Sequence, residues 1–488
     1  MRKVTKGFAP LVALALVAAA CGGDDAADEP AAEPAAADEP ADEPAAADEP
    51  ADEPAAADEP ADEPADEPAD EPADEPAEAP AEIVYDWGVD EDTIRVGLNA
   101  DLSGIFAPLV TQIVDGQEAF WEIVNDNGGV GGKMIVPVIL DNAYDVPTHL
   151  ANYEELSQES EDGVAIISQS TGSPHTAATS EMLVEDDLLA IPLSWYSGWQ
   201  DPGVTGQNVM ELYTSYCIES MNGVEFMAKE LGAETIAIIS FPGEYGQDGA
   251  AGAKMAAEAL GLEIVFDGEG QIIPGADQTP LITGLVEANP DIVWTTSNPT
   301  TTAEIMGGSY ALGLRAKWSG SSPSWNYQLL ATDLGPIADE VYWHSTYTQL
   351  WNTDDTPGMT AMVEGMRAKR PDAPLSDSYI ISWTEGMATL AVLEQAAANG
   401  DMTRAGILEA FGQVSVDFQG LAPDQTWGGD PNDYIVRSSY IYDVDASQFT
   451  PGATVSDEGG TGFTLLAADY TGTVAEAYSF DGACFSAG

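Results

Sequence analysis

The chain has 488 residues, with 84 Asp and Glu against 14 Lys and Arg, for a formal net charge of −70. A surface this acidic repels nucleic acid and anionic lipid, which argues against both as partners. The three cysteines and three histidines show no His-Glu-x-x-His or Cys-x-x-Cys spacing, so no metal site and no cofactor are expected.

Residues 1–20 carry Arg2, Lys3 and Lys6, followed by an apolar run from Gly7 to Ala20. That run is too short to span a ~30 Å hydrocarbon core and reads as a cleaved export signal. Val17-Ala18-Ala19-Ala20-Cys21 resembles a bacterial lipobox, with Ala18 where Leu is usual. The resemblance implies that Cys21 becomes a lipidated first residue, anchored on the extracytoplasmic face of the cell membrane. From Asp24 to Glu82 only Ala, Asp, Glu and Pro occur. Such a stretch buries too little apolar surface to fold, so 21–84 is expected to be an extended, disordered tether. About 25 of the acids fall in it, leaving about 59 against about 11 Lys and Arg in the remainder.

The remainder alternates between two periodicities. Strand-like runs are Ile94–Leu98, Ile135–Leu140, Val164–Ile167 and Leu189–Pro192. Helical spacing covers 110–125, 150–157 and 176–183 between and after them. The alternation then resumes, with strands at 236–239, 263–266, 291–294 and 317–319. Helices are expected at 221–231, 248–260, 281–288 and 301–312. Beyond Val341 the pattern changes to a long helix over 377–398 and a shorter one over 404–412. The last 70 residues read as short strands and loops. Strand–helix alternation on this scale argues for parallel α/β layers.

These segments resemble a known family. Ile94-Arg95-Val96-Gly97 with Leu102-Ser103-Gly104, the Asn125–Gly132 turn, Gly163–Ile167, Ile236–Ile239 with Glu244-Tyr245-Gly246, and Asp291–Trp294 are similar to type I periplasmic binding proteins of the Leu/Ile/Val-binding kind. The resemblance implies two Rossmann-like lobes, 94–214 plus 349–424 and 215–345 plus 427–488, joined by a hinge around an interlobe ligand cleft. It implies a monomeric, lipid-anchored solute receptor that passes a small amino-acid-like, amide or carboxylate ligand to an ABC permease. A sensory receptor of the same fold and a non-binding envelope protein are the alternatives.

Carried over by position, the loop before residue 174 offers the Ser173 hydroxyl and the backbone of Ser170, Thr171 and Gly172 to a carboxylate, although helix capping alone would also use them. Ser194, Trp195 and Tyr196 follow the next strand, as a flat wall or a surface loop. Tyr245, Asn298, Ser322 and Tyr379 complete the expected lining. No Asp or Glu occurs from Lys317 to Thr332, where amino-acid-binding members carry an acid. That departure favours a carboxylate or neutral polar ligand with an apolar body over an α-amino acid. Ser173 and His175 lack a Gly-x-Ser-x-Gly elbow, so no enzyme is expected. With Cys21 acylated, export suggests that Cys217 and Cys484 form a disulfide, two free thiols being the alternative.

Overall fold

The computed structural model describes residues 83–486. The export segment, Cys21 and the tether up to residue 82 lie outside the described residues. The chain is already paired at its first described strand. Val84–Tyr85 runs parallel to Asp401–Met402, with Val84 the last residue of the stretch expected as tether.

Two four-stranded parallel sheets organise the rest. The first uses Thr93–Ala100, Met134–Asp141, Ile166–Thr171 and Ala190–Leu193, in the spatial order second, first, third, fourth. The second repeats that order with Thr235–Ser240, Glu263–Gly268, Ile292–Thr296 and Lys317–Gly320. Helices cover both faces of each sheet, so the central strands bury Ile94, Val96, Leu98, Ile166, Ile236 and Ile238 completely. Burial on both faces is why these strands read as apolar runs in the sequence.

Helix packing depends on close approaches. In the first lobe Ala107–Asp126 lies against Ser378–Asn399, with Gly386 under Phe120. In the second, Tyr216–Leu231 lies against Gly243–Leu260. A Cβ on Gly252 would sit 1.9 Å from the Cys217 carbonyl oxygen, so only glycine lets these two helices meet.

The last 70 residues differ from expectation. Ser439–Phe449 and Thr461–Tyr470 are long strands, paired antiparallel with each other, and the first also pairs with Trp343–Thr346. Register shifts interrupt their ladder, and much of their outer half is exposed, which erodes the alternating pattern. The helix Pro357–Lys369 also went unread, although Thr356 caps it by accepting the Met359 N–H at 3.2 Å and Pro357 opens it.

Three chain segments cross between the lobes side by side. The Gln349 N–H donates to the Leu421 carbonyl at 2.9 Å, and the Tyr213 N–H donates to Gln425 Oε1 at 2.6 Å. Tyr213 holds a left-handed φ of 61° and stacks on Tyr347. The lobes also meet directly. Asn326 Nδ2 donates to the Pro108 carbonyl at 3.4 Å, and the Ser197 N–H donates to Asp248 Oδ2 at 3.1 Å. Cys217, in the first turn of its helix, is disulfide-bonded to Cys484, with Cα atoms 6.4 Å apart. Among the described residues, no helix is long and apolar enough to cross a membrane, and no cluster of three metal-ligating side chains occurs.

Candidate functional site: the interlobe cleft

In each sheet the strand order reverses between the first and third strands, and open α/β sheets bind ligands at the carboxyl ends of the strands at that point. The segments that follow those strands carry Phe106 and Ser173 in one lobe and Tyr245 in the other. All three line one cleft, whose empty volume, mouth included, is about 830 Å³.

The walls are built by local hydrogen bonding. Buried Asp101 accepts the Gly104 and Phe106 N–H groups at 2.5 and 2.8 Å, which turns Phe106 into the cleft. Tyr144 holds a left-handed φ of 52°, with its N–H donating to Asn142 Oδ1 at 2.8 Å. Strain of this kind in a non-glycine residue is usual at ligand sites. It brings the Tyr144 ring 4.8 Å from Phe106. Leu109, Val110, Ile113, Leu193, Trp195, Trp325, Leu350 and Ile381 make the remaining lining strongly apolar.

A knot of hydroxyls sits at the start of helix Ser173–Glu185. Ser173 and Ser194 share a hydrogen bond of 2.6 Å, and Trp199 Nε1 donates to Ser194 Oγ at 3.1 Å. With Trp199 filling one acceptor position on Ser194, that hydroxyl can give its proton to Ser173, leaving the Ser173 proton free for the cleft. Tyr216 borders the same knot. Burial pushes its phenol well up, partly offset by the neighbouring backbone and by the Ser173 and Ser194 hydroxyls. Tyr245 contributes its ring, 4.7 Å from Tyr216. Its hydroxyl is turned away, donating to the Ser297 carbonyl at 2.6 Å.

Of the expected lining, Thr171, Gly172, Ser173, Trp195, Tyr245 and Ser322 border the cleft, and Ser194 stands directly behind Ser173. Four others are not among the residues that border it. Ser170 turns under its helix to bond Thr176 Oγ1 at 2.8 Å. The Tyr196 hydroxyl donates to the Phe485 carbonyl at 2.6 Å, in the C-terminal tail. Asn298 caps helix Pro299–Ala311 by accepting the Thr301 N–H at 2.8 Å. Tyr379 packs toward Gly116 on helix Ala107–Asp126, its hydroxyl donating to the Pro374 carbonyl at 3.2 Å.

Two carboxyl groups reach the cleft from outside residues 317–332. Asp377 borders the far end of the cleft, accepting the Trp351 N–H at 2.8 Å and the Thr461 hydroxyl at 2.7 Å. Burial pushes its carboxyl up to about 6. Glu219 lies fully buried behind Ser322, accepting that residue's N–H at 2.9 Å through Oε1, while Oε2 has no partner among the described residues. Burial holds its carboxyl well above the usual range, partly offset by the bond from the Ser322 N–H. Both come from elements distant in sequence from residues 317–332. Among the described residues no Lys or Arg lines the cleft, and His344, on its wall, is held neutral by burial, which pushes it down to about 3.

A sequence family described as periplasmic binding protein matches residues 93–450. The chain belongs to that family. It is a type I periplasmic binding protein of the Leu/Ile/Val-binding kind. The Leu/Ile/Val/Thr-binding protein of Salmonella typhimurium is 24% identical over 331 residues, 67% of this chain and 85% of the relative. A fatty acid ABC transporter substrate-binding protein from Thermomonospora curvata superposes with a TM-score of 0.72 at 26% identity, covering 81% of this chain and 97% of that one. A branched-chain amino acid ABC transporter protein from Thermus thermophilus, with bound valine, gives 0.67 at 18% identity over 80% and 99% of the two chains. Relatives of this kind are binding proteins rather than enzymes, and they serve ABC transporters.

Proposed function

We propose that this chain is the lipid-anchored receptor of an ABC importer, carrying a small carboxylate with an apolar body. It works as a monomer outside the cytoplasmic membrane, performs no catalysis and hands its ligand to a permease. Its lobes are 94–214 plus 349–424 and 215–345 plus 427–488. The observation that carries the ligand class is a largely apolar cleft whose polar knot, Ser173 with Ser194 and Tyr216, stands at a helix N-terminus. Oriented hydroxyls and N–H groups there stabilise a carboxylate without a cationic partner. The similarity to a fatty acid ABC transporter substrate-binding protein supports the same class.

Calorimetry with octanoate, phenylacetate and leucine tests this reading. The two carboxylates are expected to bind more tightly than leucine. Ser173→Ala is expected to weaken them by about 1 to 3 kcal/mol, the cost of losing a hydrogen bond to a desolvated charged group. Tightest binding by leucine, or unchanged affinity in Ser173→Ala, rejects it.

The unpartnered oxygen of Glu219 beside Ser322 favours a second reading, an α-amino acid whose ammonium pairs with a Glu219 carboxyl that gives up its proton to solvent on binding. In that case Glu219→Gln abolishes leucine binding and spares octanoate.

The anchor rests on residues 1–23. Cys21→Ser is expected to release the protein into the medium or leave it unprocessed, as read by mass spectrometry of membrane and secreted fractions. A membrane-bound variant of unchanged lipidated mass removes Cys21 from this role.

A further inference from the structure

A second recess lies away from the cleft, beside the crossing segments. Trp199, Phe411, Trp427 and Tyr434 wall it, and Glu211 lies at its inner end. Glu211 is 94% buried, being 6% exposed. Among the described residues its carboxylate has no ion-pair partner and no hydrogen bond beyond its own backbone N–H. The main chain is fixed in place, because Trp427 Nε1 donates to the Glu211 carbonyl at 2.8 Å. Phe411 and Trp427 stand 5.9 Å apart, inclined at 54°. Asp187 and Glu409 also border the recess, and it has no Lys or Arg.

These features share one chemistry. Burial makes this carboxyl costly to ionise, and a cation beside it offsets that cost. Aromatic faces around it attract a cation that is weakly hydrated and apolar in body, the combination that recognises alkylammonium ions. A metal ion fits poorly, since one carboxylate among indole and phenyl rings supplies too few oxygen ligands. An anion meets three acids and no base. We propose that this recess is a second ligand site, which takes an organic ammonium ion with an apolar body. Trp199 also ties the recess to the cleft, because its indole N–H reaches Ser194 and through it Ser173.

Choline chloride and its neutral isostere 3,3-dimethylbutan-1-ol are the probes, titrated into the protein by calorimetry against sodium chloride at equal concentration. Choline is expected to bind saturably at one site, roughly tenfold or more tighter than the alcohol. Glu211→Gln is expected to remove most of that preference. Equal binding of the two probes, absence of saturable choline binding, or an unchanged preference in Glu211→Gln overturns the proposal. Should Glu211→Gln fail to fold, the wild-type protein still decides. The anomalous signal of 4-bromobenzyltrimethylammonium in its crystals is expected between Trp199 and Trp427. A signal confined to the interlobe cleft, or none, overturns the assignment.

Discussion

Replacing Cys217 and Cys484 with serine is expected to lower the unfolding free energy by about 2 to 5 kcal/mol. The bond joins residues 267 apart in sequence, and a cross-link of that span removes much chain entropy from the unfolded state. The folded side holds the same tail independently. The Cys484 N–H donates to Ser197 Oγ at 2.9 Å, and Asp248 accepts both the Ser197 and the Cys217 N–H groups. The Cys484 side of the bond is therefore already positioned, and the expected loss comes mainly from the freed unfolded chain. Urea midpoints for the oxidised wild type and the double serine variant measure it. Coincident midpoints would mean that the hydrogen bonds of Ser197, Tyr196 and Asp248 hold the tail unaided.

The second large effect is a loss of stability as pH rises. Burial pushes Glu211 from 4.5 up to about 8 and Asp248 from 3.8 up to about 7, the latter against bonds from Ser197 and Cys217. With folded values above the unfolded ones, the native state holds more protons between about pH 4 and 8. Stability is then greatest near pH 4 to 5 and falls as pH climbs through that window. Shifts of this size correspond to on the order of 4 kcal/mol for each group once fully ionised. Repulsion among surface acids has the same sign, but about 1 M salt screens it and leaves the buried contribution. Denaturation in high salt should therefore still show a lower midpoint at pH 8 than at pH 5, and Glu211→Gln should flatten the difference. A midpoint that rises with pH in high salt, or a slope that Glu211→Gln leaves untouched, contradicts this account.

The two sheets were legible because strands buried on both faces leave unbroken apolar runs, as at Ile94–Leu98 and Ile236–Ile239. Ser173, Trp195, Tyr245 and Ser322 were legible because each follows such a run, where the carboxyl end of a strand opens onto the cleft. Helix Ser378–Asn399 marks the limit. Each residue turns about 100° around the axis, so Ser378 and Ile381 face the cleft while Tyr379 and Ser382 face Gly116. Composition alone did not separate those two faces. Asn298 could not be told from a cleft residue because its capping role ends the same strand. Phe106, Tyr144, Tyr216, Glu219 and Asp377 were missed for another reason. They reach the site from four places in the chain, Tyr216 and Glu219 sharing one helix, and only the packed lobes bring them together. The long C-terminal strands were hidden by their exposed outer halves, whose polar residues read as loop.

The Cys217–Cys484 bond also changes what a protease can do. Residues 217 to 484 form a closed covalent ring, and two of the three crossing segments lie inside it. One cut in the exposed turn at 450–460, or in a crossing segment near residue 349 or 425, leaves a single covalent molecule with every remaining contact in register. Separating the pieces takes a second cut or a reductant. An extracytoplasmic protein can thus carry a nicked backbone and still keep its lobes as one body.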